Sequence, residues 1–337
     1  MDTRRCWAAR LIGAAILVLI TGCASAGGSA ARAAAAPKPE EPDITVAAIP
    51  AVDLAGLYIA LDEGLFAQQG LHVTVVKIPS SQAVVADQLN GQVDISAGSY
   101  VAYISAQAAG ARFRILAQAS TLAPNTRVLV VPGNSPITSV AELAGRKIGV
   151  NGTNSIGTLL ISMLLAAHGV ARGKARFVTD PGGFPVMPEH LRDGDWSAAF
   201  LSEPYVTDAG ERYGEQVLAD LDQGAAMNLP IDGYVATQAW ARQHPRTAAA
   251  FTRAIEQGQA IANKDASAIQ TAMARYDGLP PQVTAAIAQT GYPVGPVVET
   301  DIQRVAVAML KFGLLRPQAA AAVEQQTLAS SMTGPAA

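Results

Sequence analysis

From Ile44 onward, short apolar runs alternate with helical patterns. Ile44-Thr45-Val46-Ala47-Ala48-Ile49 reads as a buried strand stopped by Pro50, and Leu54 to Glu63 as a helix ended by Gly64. Val73 to Val76 is the next strand, Gln82 to Leu89 a helix closed by Gly91, and Val93 to Ser96 and Phe113 to Ala117 two further strands. The rhythm restarts at Arg127-Val128-Leu129-Val130-Val131, a strand ended by Pro132-Gly133-Asn134. Lys147 to Val150 then leads into a helix carrying Ile156, Leu159, Leu160, Met163, Leu164 and Ala167, an amphipathic stripe with Gly169 as its stop. Phe177 to Thr179, Ala198 to Leu201 and Val217-Leu218 supply more strands. This βαβα order argues an α/β fold with mostly parallel sheets covered by helices.

After Ile231 to Ala236 the pattern is almost wholly helical. Helices are expected over Gln238–Gln243, Pro245–Asn263, Ala266–Tyr276, Pro281–Gln289 and Glu299–Phe312. Two α/β units followed by helices suggest a discontinuous first lobe, which the chain leaves near Arg127 and re-enters near Ile231. Two such crossings form a hinge.

The first residues change the picture. Arg4, Arg5 and Arg10 precede a short apolar stretch from Leu11 to Ile20, too short to span a bilayer and suited to secretion. Thr21-Gly22-Cys23 comes next, and an apolar residue, a small residue and Gly before Cys resemble the lipobox of bacterial lipoproteins. That resemblance implies cleavage before Cys23 and lipidation of its sulfur. The other of the 2 cysteines, Cys6, leaves with the signal, so no disulfide, thiolate metal site or cysteine nucleophile is expected. Ala24 to Glu41, rich in Ala, Gly, Ser and Pro, reads as a tether. The chain carries −3 overall, and the segment before Cys23 holds three Arg against one Asp, so the chain from Cys23 onward carries about −5. Lys and Arg are scattered, so nucleic acid is not an expected partner.

Several stretches carry a family resemblance. They are Leu57 to Phe66, Leu71-His72-Val73, Gln88 to Asp94, Glu142 to Val150, Asn151 to Gly157, Glu203-Pro204 and Ala239 to Pro245. In order and spacing, over about Ile44 to Leu315, they resemble the nitrate/sulfonate/taurine-binding and thiamine-precursor-binding family of bacterial ABC importers. The resemblance implies a two-lobed class II periplasmic binding fold with a ligand cleft between the lobes and a helical C-terminal segment. It implies an extracytoplasmic, lipid-anchored monomer that binds a small molecule and serves an ABC permease with its ATPase subunit. The organisation expected is a signal peptide over 1–22, Cys23 and a tether to 42, the first lobe over 43–126 and the second over 127–230. The first lobe's return would occupy 231–326, with a disordered tail over 327–337.

In open α/β sheets ligands bind beyond the carboxyl ends of the strands. That rule selects Asp53, then Ser80 and Ser81, then Ser99 and Tyr100 in the first lobe. In the second it selects Thr153, Asn154 and Ser155, then Glu203 and Tyr205, with Asp232 on the return. Several of these loops open into helices, whose N-termini favour an anion. Ser80, Ser81, Ser99, Thr153 and Ser155 fit equally as helix caps, and Gly152 as a turn residue. The carboxylates of Asp53, Glu203 and Asp232 would repel an anion and suit an amine or an aminopyrimidine. Glu203 also fits as a cap beside Pro204. None of these loops carries Arg or Lys.

Within the ligand range that the resemblance implies, a small sulfonate, taurine-like compound or related organic anion leads, with a nitrogenous heterocycle such as a thiamine pyrimidine precursor as the alternative. Ligand-presenting sensing is the alternative to import. His72, His168, His190 and His244 show no metal spacing, and no nucleophile elbow occurs, so neither enzyme activity, a metal nor a cofactor is expected.

Overall fold

A computed structural model describes residues 38–171 and 173–317. The signal peptide, Cys23, the tether up to residue 37 and the tail expected over 327–337 lie outside the described residues.

β1 (Asp43–Ala48) runs through a 3-10 turn over Val52–Leu54 into α1 (Ala55–Asp62) and α2 (Leu65–Gln68). Gly64 joins the two helices at φ 65, a left-handed conformation that an L side chain adopts only at a cost. β2 (His72–Lys77), α3 (Ser81–Leu89), β3 (Ile95–Ser99), α4 (Tyr100–Ala108) and β4 (Phe113–Thr121) follow. The chain then enters a second sheet through β5 (Arg127–Val131), β6 (Lys147–Gly149), α5 (Ile156–Ala167) and β7 (Arg176–Val178). α6 (Met187–Arg192), β8 (Ala198–Ser202), α7 (Tyr205–Tyr213) and β9 (Gln216–Asp220) complete that part. β10 (Pro230–Thr237) returns to the first sheet, and α8 (Gln238–Gln243), α9 (Pro245–Ala262), α10 (Ala266–Asp277), α11 (Pro281–Ala286) and α12 (Glu299–Lys311) close the chain.

The first sheet has the order β2-β1-β3-β10-β4 and the second β7-β6-β8-β5-β9. Each is mixed but mostly parallel, as expected, with four strands running one way and one against them. β1 pairs in parallel with β2 and β3, but β10 runs antiparallel to both β3 and β4. Likewise β6 pairs in parallel with β7 and β8, while β5 runs antiparallel to β8 and β9. The reversed strands, β5 and β10, are the ones reached by crossing from the other sheet. A crossing segment arrives from the opposite end, so its strand runs against the βαβ units it joins.

Most elements lie close to their sequence expectation. Differences arise where strand passes into helix without a break. β3 ends at Ser99 and α4 begins at Tyr100, so the expected loop around Ala97 to Tyr100 has no length. α5 is buried almost all round, Ile156 to Ile161 and Met163 to Leu165 included, and is not a one-sided stripe. α9 does show a stripe, burying Ala248, Phe251, Ala254, Ile255, Gly258 and Ala262. Gly258 lets α9 approach α1 closely, because a Cβ there would collide with the Gly56 carbonyl.

Residues 38–42, expected as the end of the tether, are held against the body instead. The Glu40 carboxylate accepts from the N–H groups of Arg246 and Thr247, each at 2.9 Å, in the first turn of α9. These are orphan donors of a helix start, and an acid beside them is favourable. The Glu41 carboxylate accepts from Trp240 Nε1 at 2.9 Å.

Candidate functional site

The C-terminal ends of β1 and β3 face the start of α5 and the loop after β7 across a cleft between the lobes. Its floor is a small cavity of about 10 Å³, room for about one water. The first lobe lines it with Ile49, Ala51, Leu54, Ser81, Ala97, Gly98 and Asp232, and the second with Arg127, Asn151, Ile156 and Phe184. Toward solvent lies a groove of about 270 Å³ lined by Pro79, Ser80, Gln82, Asn151, Gly152, Thr153, Thr179, Asp180 and Pro181.

Arg127 organises the floor. Its Nη1 donates to Asp53 Oδ1 at 2.6 Å and its Nη2 to Asp232 Oδ2 at 2.9 Å. All three side chains are buried, with exposures of 4%, 1% and 8%. Ser202 Oγ donates to the other Asp53 oxygen at 3.2 Å. Arg127 and Ser202 face each other in the β5–β8 register, as Asp232 and Ser99 do between β10 and β3. The ion pairs cross from the second sheet to the first lobe and join charges 74 and 105 residues apart in the chain. Two carboxylates meet one guanidinium, leaving surplus negative charge. Burial pushes the Asp232 carboxyl up, Arg127 opposes the shift, and the neighbouring Asp53 adds to it. Arg127 Nε and Asn151 Oδ1 are buried beside the cavity with no hydrogen-bond partner.

Sequence reasoning placed no cation in the cleft and so missed Arg127. A signal was present: the residue opens a strand that is buried throughout. A charge buried in such a strand requires a counter-charge. Phe184 was missed as a lining residue too, whereas Gln82 and Asn151 fall in the loops that the strand-end rule selects.

The expected residues divide into groups. Ser81 and Asp232 line the floor, and Ser80 and the exposed Thr153 line the groove. Asp53 reaches the floor through Arg127. Asn154 bridges the lobes: its Nδ2 donates to Ser105 Oγ on α4 at 2.7 Å, and its carbonyl accepts from Gln82 Nε2. Ser80 and Ser155 cap α3 and α5, accepting from Ala83 and Thr158 N–H groups. Ser81 Oγ accepts from the Ser99 N–H at 3.0 Å, and Ser99 Oγ from Val101 N–H at 3.1 Å.

Besides Asp53, Ser99, Asn154 and Ser155, three further expected residues line neither space. Tyr100 is fully packed beneath Gly233, where a Cβ would meet its ring. Tyr205 stacks on Phe184 with ring centroids 5.8 Å apart. The Glu203 carboxylate is engaged by Thr207, from both its N–H and its hydroxyl, and by the Ala288 N–H. Burial raises its pKa and those bonds oppose the shift. Among the described residues, no cluster of three or more His, Cys, Asp or Glu could hold a metal ion.

The arrangement suits reversible capture of a small polar solute. α3 and α5 present their N-termini to one groove from opposite lobes, offering N–H groups and partial positive charge. Interlobe bonds, including Val52 N–H to the Glu203 carbonyl at 3.0 Å, hold the lobes together.

Comparisons with known proteins agree with this geometry. A curated relative from Escherichia coli, whose name describes it as an aliphatic sulfonates-binding protein, is 25% identical over 222 residues, 63% of this chain. The match spans 65% of that relative's length. Among solved structures, the alkanesulfonate-binding protein SsuA of Xanthomonas axonopodis pv. citri bound to MOPS superposes with a TM-score of 0.71 at 18% identity. It covers 85% of this chain and 99% of its own. The periplasmic nitrate-binding protein NrtA of Synechocystis PCC 6803 gives 0.72 at 15% identity, covering 89% and 90%. These structures establish the periplasmic-binding-protein fold. The family model described as NMT1/THI5 like matches residues 51–269, more than half of the sequence and every cleft-lining residue but Ile49, and the chain belongs to that family.

Proposed function

We propose that this chain is the solute-binding component of an ABC import system, closing two lobes around a small sulfonate or related organic anion. The observation that carries the reading is the groove where the capped N-termini of α3 and α5 converge from opposite lobes. A sulfonate or nitrate is a dehydratable oxyanion that neutral donors and helix N-termini bind well. Ser80, Ser81, Asn151, Thr153 and Asn154 supply such donors. The names of the relatives, sulfonate- and nitrate-binding proteins, support the same ligand class.

The crossings between β4 and β5 and between β9 and β10 serve as the hinge. Cys23 carries the lipid that holds the protein at the outer face of the membrane, and the permease and its ATPase receive the closed form. The protein binds and releases its solute without transforming it.

A second reading is favoured by the acid surplus at the floor. Asp232 beside Phe184, Ile156 and Leu54 would suit a nitrogenous heterocycle such as a thiamine pyrimidine precursor, with the ring on the apolar wall.

Transport assays test the reading. Cells lacking this protein should lose uptake of labelled ethanesulfonate at low concentration, and restoring the chain should restore it. Unchanged uptake of every sulfonate tested would contradict the anion-import reading. Loss of pyrimidine uptake alone would select the second.

A further inference from the structure

Part of the second-lobe wall of the cleft is the segment 179–186, whose Thr179, Asp180 and Pro181 line the groove and Phe184 the floor. Its root is unusual. His190, on α6, lies between two carboxylates: Nε2 is 3.0 Å from Asp180 Oδ2 and Nδ1 is 3.0 Å from Asp195 Oδ2. A carboxylate only accepts, and a neutral imidazole has one N–H. Both contacts are hydrogen bonds only when both ring nitrogens carry protons. The ring stacks on Trp196 with centroids 4.2 Å apart, which fixes its plane.

From His190 the contacts lead to the cleft. Asp180 Oδ1 accepts from the Gly182 N–H at 2.7 Å and shapes the Gly182-Gly183 turn. Gly183 lies at φ 65 against the opposite lobe, where a Cβ would sit 2.7 Å from the Pro79 carbonyl oxygen. Phe184 follows and lines the floor.

We propose that His190, protonated on both nitrogens and bridging Asp180 and Asp195, is a positioning residue that holds the segment 179–186 against the first lobe. When it loses a proton, one carboxylate contact becomes repulsive, the wall loosens and the grip on solute weakens. The consequence for solute rests on reading this groove as the ligand cleft; the consequence for the wall does not.

The charges around the ring favour that state. Asp180 and Asp195 face it directly. Glu189 and Arg192 share its helix, with Asp193 next in the chain and bonded to Arg192. α7, packed against α6, brings Arg212, which is bonded to Asp208. His190 is raised above its ordinary value, with Asp195 the largest cause and Asp180 adding, against partial burial. Its contribution is therefore complete below the ordinary histidine value and is lost as pH rises through the elevated one. Asp180 is lowered, first by the Gly182 amide and then by His190.

The test is an NMR titration of the His190 ring in the ligand-free protein, with hydrogen exchange of 179–186 at pH 6 and pH 9 corrected for the intrinsic rate. Expected are a ring midpoint above the ordinary one, Gly182 and Gly183 amide signals titrating with it, and protection falling at least about fivefold across the range. In His190→Gln the segment should be unprotected at both pH values. If that variant does not fold, the wild-type titration decides alone. A ring already neutral at pH 6, or Gly182 and Gly183 signals indifferent to its titration, would overturn the proposal. With ethanesulfonate as probe, affinity should fall by the same factor as the protection. A responding wall with no ethanesulfonate binding would leave His190 in its role and count against the sulfonate reading instead.

Discussion

Replacing Arg127 with methionine is expected to destabilise the fold by about 3–5 kcal/mol at neutral pH, measured by urea denaturation. The substitution keeps the side chain's bulk but strands Asp53 and Asp232, buried at 1% and 8% exposure, without a cation. Breaking a buried pair from one side costs far more than the intact pair contributes, because the remaining charge has lost its solvation. The variant's response to pH follows in sign. Its buried carboxyls hold protons that the unfolded chain has released, so stability should rise as pH falls and drop as pH increases from the ordinary carboxyl range. The wild type should show a weaker form of the same slope, since the Asp232 carboxyl is already raised. Asp232→Asn removes the surplus charge and leaves one guanidinium with one carboxylate, so it should cost much less than the loss of Arg127. Equal losses from Arg127→Met and Asp232→Asn would contradict this account of the floor.

Phe184→Ala is expected to cost about 3 kcal/mol, the lower end for a buried aromatic truncation, because water can enter from the cleft. Phe184 is 4% exposed, stacks on Tyr205 and lies 5.7 Å from the Phe200 ring. Removing it deletes the contact between wall and lobe core and enlarges the floor beside Arg127. A bulkier sulfonate such as MOPS should then gain affinity relative to ethanesulfonate, measured by calorimetric titration of both. A loss below about 1 kcal/mol, within the range of ordinary surface changes, would mean that the ring is not part of a packed closed cleft.

Much of this fold was legible because its elements announce themselves locally. β5 opens at Arg127 and α8 at Gln238, each where the apolar pattern placed it. α4 was not legible, since Ser99 ends a buried strand and caps a helix in the same position, leaving no turn residue to mark the change. The site was legible only in part, for a physical reason. Helix starts follow from local chemistry, and Ser80 and Ser155 cap the helices that face the groove. Arg127 could be read as a strand edge meeting water. Only the apposition of the two lobes shows that it is enclosed by two acids distant in sequence, one after β1 and one on β10. Asp53 and Asp232, read as free to meet a cation, are instead committed to that guanidinium.

Whether a small solute binds between the lobes is tested most directly by the melting temperature of the purified protein. The panel is ethanesulfonate, taurine, nitrate and a thiamine-pathway pyrimidine, each run on the wild type and on Gly152→Trp. Gly152 lines the groove, and a side chain there would first meet the flexible end of Gln82, so the indole fills the groove while the fold persists. One chemical class should stabilise the wild type by about 2.7 kcal/mol at a hundred times its Kd. The same compound should leave Gly152→Trp unmoved. A stabilisation that survives the filled groove, or none from any compound, would contradict binding between the lobes.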